Sequence, residues 1–245
     1  MKQLLIINPN TTSSVSERMR AHAQALAGER AHVTVATAAF GARYIANEAS
    51  YAVAAHAALD TWAGALAEPP FAQTPPDAVL IGCFGDPGLF ALRESSAVPV
   101  SGLAEASFLS AAALGRFAIV TGGERWAPML RRLAQNLGMG EHLTSIVTVA
   151  PTGAELAADP SMAQRELGRA CQQAVSSGPV DAIILGGAGL VGMVPLVQDS
   201  VPVPVLDSVL ASVQRTIDEE LPPPVRPSNG FDAEWTSLPP HMNRH

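Results

Sequence analysis

Runs of apolar residues alternate with helix-like segments along most of this chain, and this alternation limits its fold more than any other feature. The runs are mostly continuous and rich in Val, Ile and Leu, which is typical of strands buried on both faces of a parallel sheet. They cover 3–7, 33–37, 77–82, 98–100, 117–121, 144–149, 180–186 and 203–205. Helices are predicted at 12–27, 48–67, 124–137, 160–176 and 207–219. This order predicts an α/β fold with right-handed crossovers.

An internal repeat divides the chain into two similar halves. The string DAVLIGCFG that begins at Asp77 aligns with DAIILGGAG at Asp181, an offset of 104 residues, and a Val-Pro-Val triplet follows each. We predict halves at 1–112 and 113–220, each a doubly wound, four-stranded parallel sheet flanked by helices. The halves are expected to be related by a pseudo-twofold with the active site between them. A Pro-rich tail is predicted at 221–245, because proline cannot continue a helix.

Composition excludes several classes of function. The chain has 245 residues, of which 48% are hydrophobic and 15% charged, so it can bury a sizeable core. Its net charge of −7 argues against nucleic acid or an anionic membrane as a partner, and no apolar run reaches the roughly 18 residues of a membrane span. Two cysteines and six scattered histidines predict no metal site, no disulfide framework and a cytoplasmic location.

Four loops follow predicted strands at the edge where parallel α/β sheets bind ligands. Their backbone N–H groups, near predicted helix N-termini, can hold a small carboxylate or imide. None has the glycine spacing of a dinucleotide-binding loop or a P-loop, so tight strand-to-helix turns remain the alternative. The loops cover 8–12, 82–88, 121–124 and 186–189.

Cys83 is the candidate reactive group of these loops. It follows a predicted buried strand and precedes Asp86-Pro87, where a helix is predicted to begin. A helix N-terminus favours thiolate, so we expect a lowered pKa for Cys83, the alternative being a small buried apolar residue. Cys171 lies in the middle of a predicted helix and is expected to pack in the core. Asp77 and Asp181 precede strands and are expected to be structural.

Four strings together carry a family resemblance: INPNTT from Ile7, IGCFGDPGL from Ile81, VTG from Val120 and LGGAGL from Leu185. Over about 1–215 the chain resembles the aspartate/glutamate/hydantoin racemase superfamily, and most closely its hydantoin and allantoin racemase branch. In that superfamily two cysteines, one from each half, face each other across the pocket. One thiolate removes a proton and the opposing thiol returns one to the other face, without a cofactor.

The resemblance implies an isomerase that acts at the α-carbon of a hydantoin-like or amino-acid-like small molecule, with Cys83 as the catalytic residue. Gly187 stands where the second cysteine is expected, so a two-base mechanism lacks one of its groups. The alternatives are a single-cysteine decarboxylase or other one-face protonation enzyme, and a non-catalytic binder. The sequence does not decide the oligomeric state, and a homo-oligomer is possible. The expected substrate-binding residues are Asn10, Thr11, Phe84, Gly85, Thr121, Gly122, Gly187 and Ala188.

Overall fold

The computed structural model describes residues 1–218 and Thr236, and the predicted tail at 221–245 lies outside these residues except for Thr236. Residues 1–218 contain eight strands, each at a predicted apolar run. The two three-residue strands each begin at the last residue of their Val-Pro-Val triplet. The strands are β1 (Lys2–Asn8), β2 (Ala31–Thr37), β3 (Ala78–Ile81), β4 (Val100–Gly102), β5 (Phe117–Gly122), β6 (Leu143–Val149), β7 (Ala182–Gly186) and β8 (Val205–Asp207).

The strands form two four-stranded parallel sheets with the same topology. The first has the order β2-β1-β3-β4 and the second the order β6-β5-β7-β8. Equivalent hydrogen bonds lie at the start of the β3–β4 and β7–β8 pairings. Val79 N–H donates to the Pro99 carbonyl, and Ile183 N–H donates to the Pro204 carbonyl, each at 2.9 Å. The predicted α/β fold with two such sheets flanked by helices is therefore confirmed, and the shared topology supports duplication.

Nine α-helices accompany the sheets within residues 1–218. Five correspond to the predicted helices, and the four additional ones are α3, α4, α6 and α8. Three of those four have seven or fewer residues, too few for an apolar period to appear in the sequence. The helices are α1 (Ser13–Ala27), α2 (Glu48–Ala67), α3 (Leu89–Ser95), α4 (Leu103–Ala112), α5 (Trp126–Asn136), α6 (Gly153–Ala158), α7 (Pro160–Ser176), α8 (Val194–Val197) and α9 (Ser208–Asp218). None of these helices is long and apolar enough to cross a membrane.

Helices α5, α7 and α9 are amphipathic, whereas α4 is buried over most of its surface. In α7, Ala163, Leu167, Ala170, Cys171 and Ala174 recur at helical spacing and are buried in the core of the second sheet. Asp159 begins this helix by accepting a hydrogen bond from Met162 N–H at 2.9 Å. The expectation that Cys171 packs in the core is confirmed, because it is 0% exposed.

The chain divides into two compact units. Among the described residues, one unit contains Met1–Gly102 and 216–218, and the other contains Leu103–Arg215. Helix α4 belongs to the second unit, where it contacts β5, β7 and β8. The boundaries between the compact units therefore lie at 102/103 and 215/216. The division of the sequence at 112/113 refers to the duplicated segments and stays a prediction.

Candidate active site

The loop that carries Cys83 begins at the carboxyl end of β3, beside β1. Gly82 N–H donates to the Ile7 carbonyl at 2.7 Å, which extends the pairing of the two strands by one residue. A Cβ at Gly82 would lie 3.0 Å from that same carbonyl oxygen and 2.8 Å from Met19 Cε. Glycine is therefore required where the chain leaves the sheet, and this fixes the starting position of Cys83.

A tight turn then places the thiol. Asp86 N–H donates to the Cys83 carbonyl at 3.0 Å, and the Tyr51 hydroxyl, from α2, donates to the Gly85 carbonyl at 2.8 Å. Helix α3 begins only at Leu89, after Gly88 at φ +83°. The prediction that Asp86-Pro87 begins a helix is therefore wrong, because both residues belong to the turn that precedes α3.

The pKa of Cys83 moves in the direction opposite to the prediction. Burial raises the pKa of this thiol, and the nearby Asp86 carboxylate raises it further. The side chain is 8% exposed, so loss of hydration outweighs any benefit to the thiolate from a helix terminus that starts after Gly88. The expected lowered pKa is wrong, and Cys83 is a protonated thiol at neutral pH. Burial also raises the pKa of Cys171, to about 11.

Asp86 is a residue of this site that the sequence analysis did not single out. It is 1% exposed, and it is the one non-glycine residue of the described chain with a positive φ, +52°. Its carboxylate fills the space that a Cβ at Gly102 would occupy, at the end of β4. The signal in the sequence was an aspartate directly after Gly85 in a glycine-rich loop, because Asp tolerates positive φ better than most residues.

The neighbouring loop after β1 is held by an asparagine network. Asn8 is fully buried, and its Nδ2 donates to Ser16 Oγ at 2.9 Å and to Asn10 Oδ1 at 3.2 Å. The same Asn10 oxygen accepts from Thr12 N–H at 2.9 Å. Thr11 N–H donates to the Ala42 carbonyl at 3.2 Å, which joins the loop to the segment after β2.

This network leaves one donor group available at Asn10. Its Oδ1 is used inside the loop, whereas its Nδ2 has no acceptor among the described residues. Asn10 as a whole is 9% exposed. The first unit thus brings Asn10, Thr11, Cys83, Phe84 and Gly85 to the carboxyl edge of adjacent strands β1 and β3.

The second unit gathers its own predicted residues at the matching edge. Thr121 pairs with Gly186 between β5 and β7, so Gly122, the last residue of β5, and Gly187, the first residue after β7, lie at the carboxyl ends of neighbouring strands. Gly187 has φ +138°, and its N–H donates to Ser208 Oγ at 3.1 Å. Ala188 begins a short 3-10 turn. A Cβ at Gly187 would make only ordinary contact with Leu190, at 3.7 Å, so the position has room for a side chain but an unfavourable backbone.

Among the described residues, no group of three or more His, Cys, Asp or Glu side chains is arranged to hold a metal ion.

Comparison with known proteins identifies the family. Residues 4–216 match the model of the Asp/Glu/hydantoin racemase family. The chain belongs to this family. It is an isomerase of the racemase type, as predicted. The hydantoin racemase of Paenarthrobacter aurescens is 31% identical over 211 residues, which span 86% of this chain and 87% of that protein.

Two solved structures agree with this assignment. An allantoin racemase from Klebsiella pneumoniae matches with a TM-score of 0.86 and 26% identity, covering 100% of both chains. An allantoin racemase from Pseudomonas fluorescens matches with a TM-score of 0.80 and 28% identity, covering 86% of this chain and 88% of that one.

Proposed function

We propose that this protein racemises a small molecule built on a hydantoin ring, and that Cys83 exchanges the proton at its stereogenic carbon. Hydantoin and allantoin share that five-membered ring, and the relatives described above are named for these two compounds. The observation that carries the proposal is a buried thiol in a fixed turn at the carboxyl end of β3, in a chain of this family. No cofactor is part of the proposed reaction.

The protonation state of Cys83 defines its step. The thiol donates: its S–H bond breaks, a C–H bond forms at the stereogenic carbon, and the electron pair of the enolate accepts the proton while a thiolate remains. In the reverse direction the thiolate removes that proton. Enolate oxygen requires hydrogen-bond donors, and Asn10 Nδ2 is the donor group that its loop leaves available.

On the face of the substrate opposite Cys83, we propose that no protein thiol transfers the proton. Gly187 occupies the repeat position of Cys83, so we propose that water accepts the proton that leaves the other face of the substrate and that solvent then returns a proton to the Cys83 thiolate. Thr121, Gly122, Gly187 and Ala188 stay predicted substrate-binding residues of the second unit, alongside Phe84 and Gly85 of the first.

Deuterium exchange tests this proposal. A single enantiomer of a 5-substituted hydantoin is incubated with the protein in D₂O, and optical rotation and deuterium at C5 are followed together. We expect loss of rotation with incorporation of one deuterium. The Cys83→Ser variant is expected to lose at least about 10²-fold in rate, because a hydroxyl is a far weaker acid than a thiol. Cys171→Ser is the matched control, since it removes the other thiol from a core helix.

Other outcomes separate the alternatives. Deuterium incorporation with retained rotation indicates one-face protonation, and release of carbon dioxide from a malonate-type substrate indicates a decarboxylase. Binding of a hydantoin without exchange indicates a binder. Equal activity of Cys83→Ser and the unmodified protein would overturn the assignment of Cys83.

A further inference from the structure

We propose that Tyr51 is a positioning residue for Cys83. Its hydroxyl holds the peptide group that binds the Cys83 carbonyl, and this fixes the main chain that carries the thiol. The inference deepens the proposed function and rests on it for its catalytic meaning. Its physical basis is a chain of two hydrogen bonds that runs from α2 to the main chain of Cys83.

The peptide group between Gly85 and Asp86 joins the two residues. Its carbonyl accepts from the Tyr51 hydroxyl at 2.8 Å, and its N–H donates to the Cys83 carbonyl at 3.0 Å. In a planar trans peptide the C=O and the N–H point in opposite directions, so this group is held from both sides. Hydrogen bonds in such a chain polarise one another, and loss of the first therefore weakens the second.

The conformation of the turn makes the bond from Tyr51 necessary. Gly85 has φ +148° and Asp86 has φ +52°, which is uncommon for a residue other than glycine. Rotation of the peptide between them would return Asp86 to a negative φ, but it would turn the Asp86 N–H away from the Cys83 carbonyl. The Tyr51 hydroxyl opposes this rotation, because it binds the other side of the same peptide group.

Helix α2 presents Tyr51 from a fixed position. Asn47 caps its start, because Asn47 Oδ1 accepts from Ser50 N–H at 2.9 Å and Ser50 Oγ accepts from Asn47 N–H at 3.1 Å. One helical turn after Tyr51, Ala55 lies against the end of the same loop, where a Cβ at Gly88 would be 3.0 Å from the Ala55 carbonyl oxygen. Tyr51 and Ala55 therefore hold the turn from one face of the helix.

The second unit contains the same turn and provides an internal reference. Leu190 N–H donates to the Gly187 carbonyl at 2.9 Å, at the repeat position of the bond in the first unit. Both tyrosines of the chain lie in the first unit. At the second turn Gly153 of α6 packs closely on Gly189, because a Cβ at Gly153 would lie 2.8 Å from Gly189 Cα. A change at Tyr51 should therefore leave the Leu190 amide unaffected.

Amide hydrogen exchange tests the hydrogen-bond chain without any substrate. The Tyr51→Phe variant of the full-length protein removes one oxygen atom and keeps the ring, and exchange at single amides is followed by NMR. We expect the Asp86 N–H to exchange about fivefold faster, the change for one typical hydrogen bond, with Leu190 unchanged. Tyr44→Phe is the matched control, since Tyr44 is 46% exposed, and it should change neither rate.

Catalysis distinguishes a positioning role from a merely structural one. With a 5-substituted hydantoin as substrate, we expect kcat of Tyr51→Phe to fall about tenfold while KM stays unchanged, because a displaced thiol slows proton transfer without altering binding. The kinetic isotope effect of deuterium at C5 on kcat should not fall, since proton transfer then limits the rate. A purely structural tyrosine would lower the melting temperature and leave kcat of the folded variant unchanged.

A protein that contains 3-fluorotyrosine tests the same bond in the opposite direction. The fluorine makes the phenol a stronger acid and a stronger donor, so we expect slower exchange at Asp86 with kcat retained. This protein keeps the hydroxyl, and it therefore replaces Tyr51→Phe if that variant does not fold. Asp86 exchange as fast as in the natural protein would then overturn the inference.

Unchanged Asp86 exchange or unchanged kcat in a folded Tyr51→Phe variant would overturn the inference. An equal rise in exchange at Asp86 and Leu190 would do so too, because it indicates general opening of the chain. The racemase proposal would survive each of these results. Conversely, a selective rise at Asp86 in a protein that exchanges no hydantoin proton would support the hold of Tyr51 on the Cys83 turn and contradict the proposed function.

Discussion

Asp77 and Asp181 make the same pair of hydrogen bonds in two different sheets. Asp77 N–H donates to the Gln3 carbonyl at 2.8 Å, and its carboxylate accepts from Gln3 N–H at 2.6 Å. Asp181 N–H donates to the Arg116 carbonyl, and its carboxylate accepts from Arg116 N–H, both at 2.7 Å. Each aspartate thereby connects the start of one central strand to the start of the next, which confirms its predicted structural role.

Removing either carboxylate should destabilise the protein to a similar extent. Asp77→Ala and Asp181→Ala each lose one hydrogen bond to a backbone N–H, and we expect each to lower the free energy of unfolding by about 1 kcal/mol. Asp77→Asn and Asp181→Asn keep an acceptor oxygen and should lose less. Urea unfolding followed by circular dichroism measures this, and a large loss for one aspartate with none for the other would contradict equivalent roles.

Asn10→Asp separates the loop role of Asn10 from its proposed binding role. The carboxylate keeps an acceptor for Thr12 N–H and for Asn8 Nδ2 but has no donor for the substrate. We expect an unchanged melting temperature and a fall in kcat/KM of about tenfold or more, the effect of one lost hydrogen bond in an active site.

The control for this variant is Asn8→Asp. Asn8 Nδ2 donates to three acceptors, so its loss should lower the melting temperature as well as activity. If Asn10→Asp racemises hydantoins at the normal rate, Asn10 Nδ2 does not contact the transition state.

Alkaline pH should destabilise the protein through Cys83. Because the folded-state pKa of this thiol is raised above its ordinary value of 9.0, its contribution to stability is fully present below pH 9. Above pH 9 the unfolded chain releases this proton and the folded chain keeps it. The free energy of unfolding then falls by up to about 1.4 kcal/mol for each pH unit and each such thiol.

Melting temperatures between pH 7 and 10.5 measure this effect. The melting temperature of Cys83→Ser should fall less steeply with rising pH than that of the unmodified protein. The melting temperature of Cys171→Ser should also fall less steeply, because burial raises the pKa of Cys171 too. Identical alkaline declines in the unmodified protein and Cys83→Ser would contradict a raised pKa at position 83.

Gly187→Cys tests the missing second thiol. Position 187 has room for a Cβ, but φ +138° is unfavourable for any other residue, so we expect a stability loss of about 1–2 kcal/mol. A positioned acid or base contributes typically about 10²–10⁴-fold, so the variant should racemise a hydantoin faster than the natural chain. Gly187→Ala is the control for backbone strain alone. A folded variant whose new thiol is alkylated, yet which turns over no faster, would exclude position 187 from proton transfer.

Much of the fold could be predicted from residue order. Buried parallel strands read as continuous apolar runs, so all eight strands and the two-sheet architecture followed from the sequence. The repeat that begins at Asp77 and Asp181 predicted two halves, and the mid-helix position of Cys171 predicted its burial. These features depend on local pattern and on periodicity, which a single chain displays directly.

The chemistry at Cys83 depended on tertiary structure. The sequence placed this residue in a loop before a helix, but whether the thiol is hydrated or buried depends on groups distant in the chain, such as Tyr51, which anchors the turn. The carboxylate of Asp86 occupies space that Gly102, sixteen residues further along, leaves open, and its charge raises the pKa of the thiol. Sequence alone therefore determined the framework and the candidate cysteine. The sign of the shift in its pKa was decided by desolvation and by a neighbouring charge, and both exist only once the chain has folded.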